Sequence, residues 1–464
     1  RAAFKNSGLE LPAERILQSL SPADLRKDSP MDVAMAVDIL ARKEDWRGEP
    51  VLALGELELS GNIRPTRGAH AAVTTARAAG ISNIICDKTT AELLKDIHGI
   101  KILAVENLKE ISEKINDKAN FIETKPEVKK DNEIEFNEDY FDAAKESLAN
   151  YDLKGHFDSI RAIEIAVSGK HNILQVGAPG CGKTLLQQNL IPALTPKLTE
   201  DEALSISRIN SIAGLDSPKR DKLLAPFRMP HQTASIEGIC GGGPNCRPGE
   251  ISLAHKGTLF LDEAAEFRSS VLQMLRVPLE TGAVTLSRAG RSTTYPALFQ
   301  LLMATNPCPC GCFGSKDKLC LCSSHAIEQY WKKFSGPLLD RIDIRVHVQS
   351  VSRDEGKKSR STEELRKDIG RAVLIQRKRQ GIKNARLTAP LIKKFCPLTK
   401  EAEGFLDSQC EKKSFSSRAK ASCIKLSRTI ADMEQKEMIG LEHVMEAVAY
   451  RKTQGGLEME FSNA

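Results

Sequence analysis

The sequence predicts an α/β protein: a doubly wound parallel sheet, preceded by an α+β domain and followed by a small helical domain. Three observations carry this. Between Asp152 and Val348, short apolar strands alternate with helical stretches and Gly-rich turns, as in a parallel sheet covered by helices on both faces. Residues 1–118 mix strand-like and helical patterns. Residues 366–464 form the last domain, with helical periodicity and no strand signal up to 451. A chain of 464 residues is also too long for one core.

In the first domain, "VLALGELEL" (Val51–Leu59) reads as a strand, as do "ISNIICD" and "IKILAV". "DVAMAVDILA" and "HAAVTTARAAG" read as helices, the second stopped by Gly80. Residues 119–150 are highly charged, contain Pro126 and read as a linker ending in a short helix; residues 351–365 read as a second, polar linker. The sequence starts at Arg1 rather than Met and reads as a fragment whose beginning lies upstream.

No run approaches the roughly 20 apolar residues of a membrane span, and no signal-peptide pattern is present, so a cytoplasmic protein is expected. In that reducing compartment, metal ligation of the 12 cysteines is favoured over disulfides. The net charge of +6 is uneven: residues 351–464 hold 24 basic and 16 acidic residues. A basic final quarter suits nucleic acid, although a solvated helical surface explains it as well.

The sequence "ILQVGAPGCGKTLLQQNL" is a strand, a Gly-rich turn and a helix. Gly177, Ala178, Pro179, Gly180, Cys181, Gly182, Lys183 and Thr184 fit the phosphate-loop pattern without a mismatch. Its backbone amides and helix N-terminus cradle phosphate, Lys183 reaches the β- and γ-phosphates, and Thr184 holds Mg²⁺. "GTLFLDEAAEF" is a buried strand ending in Asp262, a second Mg²⁺ support, and Glu263, which polarises an attacking water. "FQLLMATNP" places Asn306 at a third strand tip, either as a γ-phosphate contact or as a turn-former. In "SGPLLDRIDIRV", Arg341 is either an arginine finger for a neighbouring subunit or a partner of Asp340 or Asp343.

These motifs follow in the order of AAA+ ATPases. "RPGEISLAHKGTLFLDE", "RAGRSTTYPALFQLLMATNPCPCG" and "SGPLLDRIDI" closely resemble the magnesium-chelatase-like ComM/YifB branch, and the resemblance covers nearly the whole chain. It implies a ring-forming homo-oligomer, a hexamer, that binds ATP and Mg²⁺ between subunits. Arg418 in "SSRAKAS" matches the sensor-2 arginine, with Arg428 as the alternative. The first domain resembles a Lon-protease fold. Ser29 precedes the expected place of a nucleophile and His70 stands where the lysine would fall, which implies a non-catalytic module with His70 as a polar surface residue. The hairpin around Arg288 and Arg291, and the "GGG" of residues 241–243, read as a mobile loop, are candidates for lining a DNA channel; packing between subunits is the plainer reading. The branch implies an ATP-driven DNA translocase or branch-migration helicase acting in natural transformation or recombination. The alternatives are a chelatase-like motor subunit that remodels a partner during metal insertion, and a nucleotide-gated scaffold.

"NPCPCGCFGSKDKLCLC" connects Asn306 to the segment leading to Arg341. Cys308, Cys310, Cys320 and Cys322 form two C-x-C pairs, enough thiolates for tetrahedral Zn²⁺. Cys312 and His325 are spare ligands. Reduced thiols and a redox switch remain the alternatives.

Overall fold

The computed structural model describes residues 1–18, 31–46, 48–124, 141, 156–215, 223–288, 291–314, 318–348 and 360–451. Most of residues 119–150, residues 351–359, the chain beyond Arg451 and Ser29 lie outside them. The chain divides into two compact units, Arg1–Glu133 with Leu204–Lys222, and Ile134–Ala203 with Leu223–Ala464.

The first unit holds a four-stranded sheet: β1 (Val51–Ala53), β2 (Asn83–Asp87), β3 (Lys101–Val105) and β4 (Ile122–Glu123), in that spatial order. β1, β2 and β3 are parallel, and β4 joins β3 antiparallel from within the stretch read as a linker. Alternate residues of β2 feed two cores: Ile85 joins Val33, Leu40 and Leu103, whereas Ile84 joins Val73 and Leu94. "VLALGELEL" does not form one strand. The chain turns at Gly55, whose φ of +145° and approach to Ile63 admit no side chain, and resumes as a separate Glu56–Leu57 strand. His70 also departs from expectation. It is buried, 5% exposed, because it shares the inner face of helix Ala69–Ala78 with Val73.

The second unit is built on five parallel strands: β5 (Ile173–Gly177), β6 (Phe227–Arg228), β7 (Thr258–Leu261), β10 (Gln300–Thr305) and β11 (Ile344–Val348). Antiparallel β8 (Ala283–Arg288) and β9 (Arg291–Pro296) make a separate hairpin. The spatial order is β11–β5–β10–β7–β6. Side chains alternate between two cores: Ile173, Phe260 and Leu302 on one face, Leu174, Leu259 and Met303 on the other. Burial on both faces explains why these strands read as continuous apolar runs. Helices Thr362–Gln380, Lys400–Lys412, Ser417–Met433 and Leu441–Ala449 form the C-terminal helical region. The first of them starts inside the stretch read as linker, because Ser361 and Glu364 cap it reciprocally. The Asp343 carboxylate, just before β11, receives the Ser422 hydroxyl and lies 3.3 Å from His171 Nδ1, so it ties this region to the sheet.

Candidate functional site

Three strands of the central sheet end side by side and deliver the predicted residues. β5 ends at Gly177, and the loop that follows carries Gly180 and Gly182 at φ +79° and +90°. Such left-handed turns suit glycine and let successive backbone amides converge on an anion. The helix beyond runs Lys183–Leu185 and widens into a π-turn at Leu186–Leu190, a feature that recurs at functional sites. The Lys183 ammonium donates to the carbonyls of Gly177 at 2.6 Å and Ala178 at 2.8 Å. It also donates to Asn306 Oδ1 at 3.3 Å, across from the tip of β10. Burial lowers the Lys183 pKa, an effect opposed by Cys181 and Asp262.

The Thr184 hydroxyl donates to both Asp262 oxygens, at 3.0 and 3.2 Å. A hydroxyl and a carboxylate brought together beyond the sheet are the oxygen donors that suit Mg²⁺. The Glu263 amide donates to Asp262 Oδ1 at 3.0 Å, and Glu263 itself adopts φ +48°. A non-glycine residue rarely takes that conformation, and such strain concentrates where function requires it. Hydrogen bonds thus join Lys183 to Asn306 and Thr184 to Asp262, with Glu263 next to Asp262 in the chain.

Arg341 and Arg418 do not join that network. Arg341 is 90% covered; it donates to the Pro337 carbonyl at 2.6 Å and to Glu280. Arg418 donates to the other Glu280 oxygen at 2.8 Å. The Arg341 hydrogen bond, then the charge of Arg418, holds the Glu280 carboxyl below its usual range. Arg341 is therefore not engaged with Asp340 or Asp343, as the plainer reading had it. Arg428 is buried against Asp432 and the Lys436 and Glu437 carbonyls, a structural role. Sequence reasoning missed Glu280, because a lone acid in "VPLETG" carries no motif.

Sγ of Cys308 lies 3.3 Å from that of Cys310 and 3.7 Å from that of Cys320, and all four thiols, Cys322 included, fall within 4.8 Å of one another. Zn–S bonds of about 2.3 Å in a tetrahedron put sulfurs about 3.8 Å apart, so the donor set fits Zn²⁺. Cys312 and His325 stand outside this group of four. The Cys312 backbone amide is the main cause of a Cys310 pKa lowered to about 6. Burial is the main cause of the raised Cys308 pKa. The loop also abuts the phosphate loop: a Cβ at Gly311 would lie 2.6 Å from Pro179.

In the β8–β9 hairpin, Arg288 and Arg291 are register partners at the described ends of the two strands. Thr285 pairs with Thr294, and Tyr295 donates to the Cys246 carbonyl at 2.9 Å. The glycine triplet is not the loose loop expected. Gly241 and Gly242 pair with Arg247 and Pro248, and a Cβ on Gly241 would lie 2.4 Å from the Arg247 carbonyl. Gly241 serves close backbone approach, whereas a Cβ on Gly243 would meet nothing within 4 Å.

Three family models match the chain: "Subunit ChlI of Mg-chelatase" over residues 1–90, "Magnesium chelatase, subunit ChlI" over 150–356, and "Magnesium chelatase, subunit ChlI C-terminal" over 359–451. The chain is 35% identical to the uncharacterized protein YifB of Escherichia coli, over 97% of this chain and 88% of that protein. It is 33% identical to the competence protein ComM of Haemophilus influenzae, with the same coverage.

Proposed function

The chain belongs to the magnesium-chelatase-like AAA+ ATPases that include YifB and ComM, and on that premise we propose that it is a ring-forming, hexameric, cytoplasmic ATPase that drives movement along DNA. The convergence of Lys183 with Asn306, and of Thr184 with Asp262, carries the ATPase part of this reading. Lys183 exchanges its carbonyl partners for phosphate oxygens. Thr184 and Asp262 would hold Mg²⁺, which would supply positive charge against the phosphates. Asn306 orients a water; Glu263 takes its proton as the water oxygen bonds to the γ-phosphorus and the bond to the ADP oxygen breaks. Arg341 of one protomer enters the next protomer's site. The Glu280 carboxylate that Arg341 shares with Arg418 supports both arginines acting from one surface.

DNA as the track is supported by the basic final quarter and by the name of the competence relative. The Arg288/Arg291 hairpin is then the moving contact with DNA, acting in transformation or recombination. The four-cysteine loop is a structural zinc clip. The first unit is a Lon-protease-like module without peptidase chemistry, supported by the burial of His70 where a catalytic lysine would stand. The second reading, a motor subunit that remodels a protein partner in metal insertion, rests on the chelatase-subunit family matches.

ATP turnover with and without single-stranded or branched DNA, alongside strand displacement, separates the two. DNA-stimulated turnover and unwinding are expected, with Glu263→Gln binding ATP but losing about 10²–10⁴-fold in turnover. Turnover indifferent to DNA, with no unwinding, favours the chelatase-like motor.

A further inference from the structure

The central sheet has a second concentration of charge, at the end of its strands opposite the phosphate loop. A cavity of about 370 Å³ opens where β7 and β10 begin, beside Gly257 and Gln300, and six basic residues line it against two acidic ones. Several of the basic groups already have partners. Lys256 Nζ lies 3.5 Å from Glu202, Arg386 donates to the Phe299 carbonyl at 2.6 Å, and Arg377 donates to the Lys197 carbonyl at 3.2 Å. The Lys170 ammonium does not: its nitrogen is out of contact with solvent and has no hydrogen-bond partner among the described residues. Burial lowers the Lys170 pKa to about 8, and burial together with Arg377 and Lys170 lowers that of Lys383 well below its usual value. A buried ammonium without a partner is costly, and a surplus of such charge in a cavity calls for a counter-charge.

We infer that this cavity is a second anion site, built for a compact polyphosphate: pyrophosphate, triphosphate or the phosphate end of a nucleotide. The volume is at the small end of the ligand-pocket range. The recessed Lys170 nitrogen excludes a nucleic-acid backbone, which cannot enter a cavity of this size, and the surplus of positive charge favours several phosphates over one. Lys170 and Lys256 come from the segments that lead into the strands β5 and β7, Arg377, Lys383 and Arg386 from the helical region, so the anion bridges the two and binds only the folded chain.

The test is thermal unfolding and calorimetric titration of the full chain with sodium tripolyphosphate, in wild type and in Lys183→Ala. A saturating ligand raises Tm by about 5 °C in both proteins, and the rise disappears in the Lys170→Met/Lys383→Met double variant. Three results each overturn the proposal: a rise lost in Lys183→Ala, a rise retained in the double variant, or an equal rise with sulfate at matched ionic strength. If the double variant does not fold, Lys383→Gln alone weakens titrated affinity at least about tenfold; unchanged affinity overturns the site. ADP and pyrophosphate compared in Lys183→Ala tell a nucleotide from a free polyphosphate, and binding of neither overturns it.

Discussion

The two strand ends of one five-stranded sheet hold a lysine in opposite ways. Beyond the ends of β5 and β10, Lys183 has three oxygen acceptors, the Gly177 and Ala178 carbonyls and Asn306. Before the strands begin, the Lys170 nitrogen is out of contact with solvent and has none among the described residues. The first is a positive charge held ready by groups that phosphate can replace. The second is a charge whose folded-state cost falls only when something negative enters or the proton leaves. On the proposed roles, one fold separates catalysis from stability: acceptors accompany the charge that is to act, and are missing among the described residues where the charge is to recruit a partner.

The largest effect that sharpens this contrast lies at the catalytic end. Lys183→Ala lowers ATP turnover by about 10²–10³-fold, the usual loss when one donor to a developing charge is removed. The protein stays folded, because its central sheet is untouched. Turnover within tenfold of wild type places the chemistry elsewhere and removes the contrast. A smaller effect is expected from the loop that presses Gly311 onto Pro179. Cys308→Ser depletes bound zinc, measured by elemental analysis, and lowers turnover by about tenfold, the lower end of effects seen when a metal site's support is lost. Unchanged zinc content and turnover after Cys308→Ser mean that the loop is held by packing alone.

How far these features were legible in the sequence follows from how far apart their residues lie. Gly177 to Thr184 form one contiguous motif, and Asp262 and Asn306 each end an apolar strand, so the meeting of Lys183 with Asn306 and of Thr184 with Asp262 was readable. The parallel sheet was readable because strands buried on both faces leave unbroken apolar runs, and the C-terminal region because its apolar residues recur with helical periodicity. The cationic cavity gathers Lys170, Lys256, Arg377, Lys383 and Arg386 from distant stretches of sequence, and only the folded chain assembles them. Glu280 was invisible because its meaning lies in two distant arginines. His70 was misjudged because polarity was read without helix phase, and Gly241 because its close contacts with Arg247 and Gly249 exist only once the chain has folded back on itself.

The smallest effect tests the unpartnered lysine directly, through pH. The folded-state pKa of Lys170 is lowered to about 8, by burial first and by Arg386 in addition, with Glu202 opposing; the unfolded value is about 10.4. Below pH 8 both states carry the proton, and the folded state bears the full cost of the buried charge. Between roughly pH 8 and 10.4 the unfolded state binds more protons, so unfolding free energy rises with pH. Lys383 shifts in the same direction, so the Lys170 contribution is read as a difference between proteins. Lys170→Met is therefore more stable than wild type at pH 7, by about 1–3 kcal/mol, and the gap closes as pH approaches 10. Chemical denaturation of both proteins at pH 7, 8.5 and 10 measures it. A variant no more stable than wild type at pH 7 means that the Lys170 charge is already compensated, and the two strand ends of the sheet are then alike. Tripolyphosphate reverses the sign at pH 7: it supplies the missing counter-charge, so wild type becomes the more stable of the two.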